Sequence, residues 1–156
     1  MLSKEIEQGQ RKCHRYWPDS GASPPQPRLR YGDITVAHVG TDPADCYTAR
    51  SFTMRRGGET RNVEQFMFTA WPDHGVPLST SEILLLRESV RAAVATSSSK
   101  GPMIVHCSAG VGRSGAYIAI DRALEEAESG SVNIDVRAIV ADLRNCRNLM
   151  VASKRG

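Results

Sequence analysis

From Asp33 to Val39 the apolar Ile34 and Val36 alternate with Thr35 and Ala37, and that period of two predicts a strand. Tyr47 to Met54 predicts a second strand. Gly57-Gly58 marks a turn, and Asn62 to Thr69, with Phe66 and Phe68 near its end, predicts a third. The three form an antiparallel meander with a hairpin at the paired glycines. Upstream, residues 1–12 read as a short polar helix or the end of a larger element. Residues 17–30, WPDSGASPPQPRLR, hold four of the eight prolines and read as an exposed loop. Downstream the period lengthens. Ser79, with Glu82 three residues on, predicts a capping box, followed by a helix with Ile83, Leu86, Val90 and Ala93 on one face. After a polar linker from Thr96 to Gly101, Pro102 to His106 predicts a short strand buried on both faces. A glycine-rich turn, Cys107 to Gly115, leads into a helix with Tyr117, Ile120, Leu124 and Ala127 on one face, ending near Gly130. A last helix carries Val136, Ile139, Val140 and Leu143. The elements predict an α/β fold, a twisted mixed β-sheet flanked by helices.

Composition narrows the class. With 156 residues the chain has the length of one domain, and 40% hydrophobic against 24% charged residues excludes intrinsic disorder. A net charge of +3, scattered basic residues and 6% aromatics argue against a nucleic-acid partner. No apolar run approaches the roughly 18 residues that span a membrane, and MLSKEIEQGQ carries no secretory h-region. Cys13, Cys46, Cys107 and Cys146 stand far apart with no CxxC pair. That spacing argues against a structural zinc site and for reduced thiols in a cytoplasmic setting.

The segment His106-Cys-Ser-Ala-Gly-Val-Gly-Arg-Ser-Gly115 carries the chemistry. A predicted strand, a tight loop and a helix N-terminus turn successive backbone N–H groups into one concavity, and the helix dipole adds positive potential. Gly110 and Gly112 permit the close approach such a cradle needs. The absence of a lysine after Gly112 excludes the GxxxxGK[ST] nucleotide loop. Cys107, at a helix N-terminus among amide donors, is expected to have a depressed pKa and to be a thiolate nucleophile. Arg113 offers a planar fork for two phosphate oxygens. The amides of Ser108, Ala109, Gly110, Val111 and Gly112 are placed for the others. Ser114 Oγ can donate to the thiolate when it leaves, and His106 tunes and positions the loop. The cradle suits in-line displacement at phosphorus through a cysteinyl-phosphate. No metal or cofactor is required, because thiolate and arginine supply the charge.

HCSAGVGRSG is similar to HC[SA]AGxGR[ST]G, the signature of the tyrosine-specific protein phosphatases. The resemblance extends to KCxxYWP at Lys12 to Pro18, YGDI at Tyr31 to Ile34, QFxFTAWPDHGVP at Gln65 to Pro77 and IAID at Ile118 to Asp121. The pattern is most similar to receptor-type or related cytosolic catalytic domains. The resemblance implies a cysteine-dependent phosphatase fold over residues 1–156, phosphotyrosine-containing proteins as partners, and a cytoplasmic location, as a cytosolic protein or part of a receptor. It implies Asp73 as general acid for the leaving tyrosyl oxygen and general base for the attacking water, on a loop hinged at Trp71. Glu7 and Lys12 fall where the family has a carboxylate and a lysine that support the loop arginine and the acid loop. Tyr16 and Trp17 read as core residues, Gln65 and Phe68 as strand residues, and Cys13, Cys46 and Cys146 as inert.

The sequence departs from the family pattern in places. It begins after the phosphotyrosine-recognition loop and is expected to be an incomplete, C-terminal part of the domain. Ala152 stands where the family has the first of two water-placing glutamines, and Cys146-Arg147 replaces a Gln-Arg pair. Slower hydrolysis of the cysteinyl-phosphate and weaker selectivity for tyrosine depth are therefore expected. Alternatives remain a phosphotyrosine-binding module with impaired turnover, a fragment that does not fold alone, and a dual-specificity phosphatase, against which KCxxYWP and WPDHGVP argue.

Overall fold

The computed structural model describes residues 1–72, 75–77, 79–98 and 101–152. It opens on a hairpin of β1 (Ile6–Glu7) and β2 (Gln10–Arg11), pairing Ile6 with Arg11 and Glu7 with Gln10. Gln8 and Gly9 between them take φ of 48° and 74°. Two successive left-handed residues make a tight hairpin turn, so these residues are not the helix expected from sequence. The hairpin faces Ile6 outward, 58% exposed, and buries Glu7 to 8%.

The meander forms as expected, with an added first strand. The sheet order is β3 (Arg28–Tyr31), β4 (Ile34–Pro43), β5 (Tyr47–Arg56), β6 (Glu59–Phe68), and every pairing among the described residues is antiparallel. Gly57-Gly58 closes β5 onto β6, with Arg56 opposite Glu59. β3 lies at the end of the stretch read as an exposed loop. Gly32, at φ 62°, turns it back onto β4, so backbone pairing overrides the proline-rich composition.

Helix α1 (Thr80–Thr96) starts at Ser79, whose hydroxyl accepts from the Ser81 amide, and buries Ile83, Leu86, Arg87 and Val90. Helix α2 (Gly112–Glu128) buries Ser114, Gly115, Tyr117, Ala119 and Asp121. Helix α3 (Val136–Cys146) is capped by Asp135, which accepts from the Arg137 and Ala138 amides. Of its expected apolar stripe Ile139 is buried, Val140 and Leu143 are half-buried, and Val136 stays 54% exposed. One core joins Leu2, Phe68 and Trp71 to Ile83, Leu86 and Val90 of α1 and to Cys107 and Tyr117. A second gathers Met1, Trp17 and Phe52. A charged cluster, buried at Arg87 and Asp121 and exposed at Glu125 and Glu128, ties α1 to α2. Arg87 donates to Asp121 at 2.8 Å and to both oxygens of Glu128, and Arg91 donates to both oxygens of Asp121 at 2.9 and 2.8 Å and to Glu125 at 3.3 Å.

The α/β class holds, but Pro102 to His106 does not form the expected strand. The Leu2 amide donates to His106 O at 2.8 Å, and the Phe68 amide to Met1 O at 2.9 Å, so residues 1 and 2 bridge β6 and this segment. No ladder extends along it, and Ile104 stays 83% exposed rather than covered on both faces. The accessible surface is 10467 Å². A compact monomer of this mass exposes about 7,700 Å², so much apolar surface lies open, including Ile104, Val132 and Val136.

Candidate active site

The turn from His106 into α2 begins with a helix that has no side-chain cap. Val111 occupies the cap position, and its side chain makes no cap hydrogen bond. Those amides need an acceptor, and Cys107 Sγ lies among them, taking the Gly110 N–H at 3.3 Å. Gly110 supports this with φ of 73°, a left-handed angle costly for a residue with a Cβ. Cys107 is 9% exposed. Burial pushes its thiol pKa up, but the Ser114 hydroxyl and the amides of Ser114, Gly110 and Val111 together outweigh it, and the net pKa is lowered. Ser114 Oγ is fully buried with no well-formed hydrogen bond; its closeness to the sulfur nonetheless favours the thiolate. Ser108 and Ala109 form the exposed lip of the loop, and Gly112 opens α2.

Arg113, in the first turn of α2, is the hub of long-range contacts. Nη1 and Nη2 donate to the two Glu7 oxygens at 2.7 and 3.0 Å, a bidentate pair largely shielded from water. Nη1 also donates to Leu2 O at 3.1 Å, and Nη2 to Pro72 O at 3.0 Å. The Lys4 amide steadies Glu7 Oε1 at 2.9 Å. Glu7 is thus brought to Arg113 at the start of α2. Lys12 lies half-buried just after β2, its amide donating to Glu5 O at 2.8 Å. Trp71 is buried edge-on against Phe68, with Nε1 donating to Gly75 O at 3.3 Å across the intervening loop. Asp73, the expected general acid, lies outside the described residues, while its neighbour Pro72 touches Arg113.

The far side of the loop is set by residues 147–152. The Val151 amide donates to Val111 O at 2.9 Å, and Arg147 Nη2 to Ala109 O at 3.3 Å. A Cβ on Gly115 would stand 2.3 Å from Val151 N, and one on Gly112 would stand 2.8 Å from Ala152 O. These glycines therefore admit a second backbone against the helix start. Val151 itself holds φ of 63°, a strained angle for a β-branched residue.

His106 places Nδ1 3.1 Å from Cys107 O and Nε2 2.5 Å from Tyr16 Oη. Its pKa is lowered, chiefly by burial. Tyr16, Gln65, Arg50 and Arg147 are contacts that sequence reasoning missed. A glutamine within the apolar run Gln65-Phe66-Met67-Phe68 was the available signal.

The protein-tyrosine phosphatase family profile matches residues 1–155. Human receptor-type tyrosine-protein phosphatase eta is 44% identical over 156 residues, which are 99% of this chain and 11% of that protein. Rat receptor-type tyrosine-protein phosphatase V is 40% identical over 153 residues, 97% of this chain and 9% of that protein. Human phosphatidylinositol phosphatase PTPRQ is 38% identical over 151 residues, 97% of this chain and 6% of that protein. The chain thus spans about a tenth or less of the length of these relatives. Among the described residues, no helix is long and apolar enough to cross a membrane.

Proposed function

This chain belongs to the protein-tyrosine phosphatase family, and we propose that it carries that family's hydrolysis of phosphotyrosine in proteins. Cys107 thiolate attacks phosphorus, a sulfur–phosphorus bond forms, and the bond from phosphorus to the tyrosyl oxygen breaks. Asp73 gives its proton to that leaving oxygen and then takes one from the water that attacks the cysteinyl-phosphate. Phosphorus transfers to water, and Ser114 Oγ assists the departing thiolate. The loop amides from Ser108 to Gly112 and the Arg113 fork hold the phosphoryl oxygens in a site whose donors are already oriented. Glu7 fixes the Arg113 fork from behind. Arg113 Nη2 also donates to the exposed Pro72 O, so anion binding and the position of the acid loop are coupled through Arg113. Lys12 and Trp71 support that loop. Neither metal nor cofactor enters a step. The receptor-type relatives support a cytoplasmic location, as a cytosolic protein or as part of a receptor.

The observation that carries this reading is the position of Cys107 Sγ at the start of α2, where it takes the Gly110 N–H at 3.3 Å, six residues before Arg113. The test is release of phenol from an aryl phosphate by the chain and by Cys107→Ser. Release is expected from the first and a loss of roughly 10⁴-fold or more from the second. Equal turnover in both would contradict it. A phosphotyrosine peptide is expected to be the better substrate in a parallel assay against a phosphoinositide, the class named for PTPRQ.

A further inference from the structure

We infer that the Arg50 guanidinium, acting through Gln65 and Tyr16, holds His106 as the tautomer with its proton on Nδ1, and so pins the Cys107 carbonyl. Arg50 lies over the Trp17 ring, 5.2 Å from its centroid, and its Nη1 donates to Gln65 Oε1 at 3.2 Å. A guanidinium has donors and no acceptor, so the oxygen end of the Gln65 amide must face it. The amide nitrogen is then left facing Tyr16 Oη at 3.1 Å as a donor. Tyr16 Oη, already accepting, turns its own hydrogen to His106 Nε2 at 2.5 Å. A ring nitrogen that accepts carries no hydrogen, so the proton of the neutral imidazole sits on Nδ1, 3.1 Å from Cys107 O.

The two ends of the chain agree. The carbonyl demands a donor at Nδ1, and the cation 15 residues before Gln65 in sequence demands an acceptor at Nε2. The opposite polarity would set the Nδ1 lone pair against the Cys107 carbonyl oxygen. The ring faces Tyr16 Oη, the Met1 amino group and Cys107, and burial keeps it neutral. In a trans peptide C=O and N–H point in opposite directions. A bond that anchors Cys107 O therefore also fixes the direction of the Ser108 N–H, the first amide after the nucleophile. Arg50, Gln65 and Tyr16 are positioning residues in this account.

The importance of this chain to catalysis rests on reading Cys107 as the nucleophile, but the tautomer is measured without turnover. The experiment is nitrogen NMR of the full chain with labelled histidines, His106 being assigned by its loss in His106→Asn. In the wild type Nδ1 is expected to carry the proton and Nε2 to be bare. In Gln65→Glu the carboxylate accepts from both Arg50 and Tyr16, which turns the tyrosyl hydrogen away from His106. The proton signal is then expected at Nε2. A wild-type ring protonated at Nε2, or the same pattern in both proteins, would overturn the inference. Should Gln65→Glu not fold, Tyr16→Phe keeps the ring against Trp17 and His106 at centroid distances of 5.0 and 5.3 Å and removes only the link. There Nδ1 is expected to keep its proton toward Cys107 O while the bare Nε2 signal shifts because it no longer accepts from Tyr16, and an unshifted Nε2 signal would equally overturn the inference. Absent aryl phosphate turnover with these tautomers intact would count against the proposed function and leave this inference standing.

Discussion

Helix α2 is gripped near both ends by arginine–carboxylate clusters, and the two are closed differently. Among the described residues, Arg113 at its start meets the Glu7 carboxylate and the backbone carbonyls Leu2 O and Pro72 O. Farther along, Asp121, Glu125 and Glu128 meet Arg87 and Arg91 of α1, and carboxylate oxygens fill the contacts seen on both guanidiniums. A neutral carbonyl can give way to a phosphoryl oxygen, because a dianion attracts the guanidinium more strongly. A carboxylate already bound gives no such advantage. On the proposed reading, the same pair of chemistries makes a ligand site at one end of a helix and a fastening at the other. The difference lies in how much of the guanidinium is held by neutral partners.

The comparison can be broken at either end. Arg113→Lys keeps a charge beside Glu7 but loses the fork. Aryl phosphate turnover is expected to fall roughly 10³-fold, with little change in the urea midpoint. Asp121→Asn leaves Arg87 and Arg91 short of a buried charge partner. Its expected cost is about 3 kcal/mol in urea unfolding, with the Cys107 thiol titrating as in the wild type. Were Asp121→Asn to move that titration, the two clusters would not be separate. The exposed pair Arg122–Asp142, at 3.3 Å, provides the lower bound. Asp142→Asn is expected to change stability by less than about 0.5 kcal/mol in the same measurement.

What could be read from the sequence follows the range of the forces involved. The meander was legible because alternation and the Gly57-Gly58 turn are local, and so was the α1 start at Ser79. The cradle was legible because Cys107, the glycines and Arg113 sit within one turn of chain. Glu7 came from resemblance; its bond to Arg113 spans 106 residues, and residues 1–12 fold as a hairpin rather than a helix. Tyr16 was read as a core residue, but its hydroxyl reaches His106, 90 residues away. The stripe on α3 and the apolar Pro102 to His106 segment had the right pattern for burial. The first is covered only in part and the second stays largely open, because pattern does not supply the surface that covers it. The glycines of the signature have a reason that no local rule gives. Gly115 leaves room for Val151 of a distant turn.

The central claim is that the sulfur of Cys107 is ionised by its place in the cradle. The direct measurement is the rate of alkylation of Cys107 against pH, read by mass spectrometry beside the other cysteines. An ordinary thiol ionises at 9.0, burial pushes Cys13 and Cys46 above that, and the cradle holds Cys107 below it. A thiol whose folded pKa is lowered contributes stability in full above the unfolded value of 9.0. It loses that contribution as pH falls through the folded value. The account predicts half-maximal alkylation of Cys107 below pH 9.0, with Cys13 and Cys46 reacting only at higher pH. A Cys107 that ionises at 9.0 or above, together with Cys13 and Cys46, would contradict it.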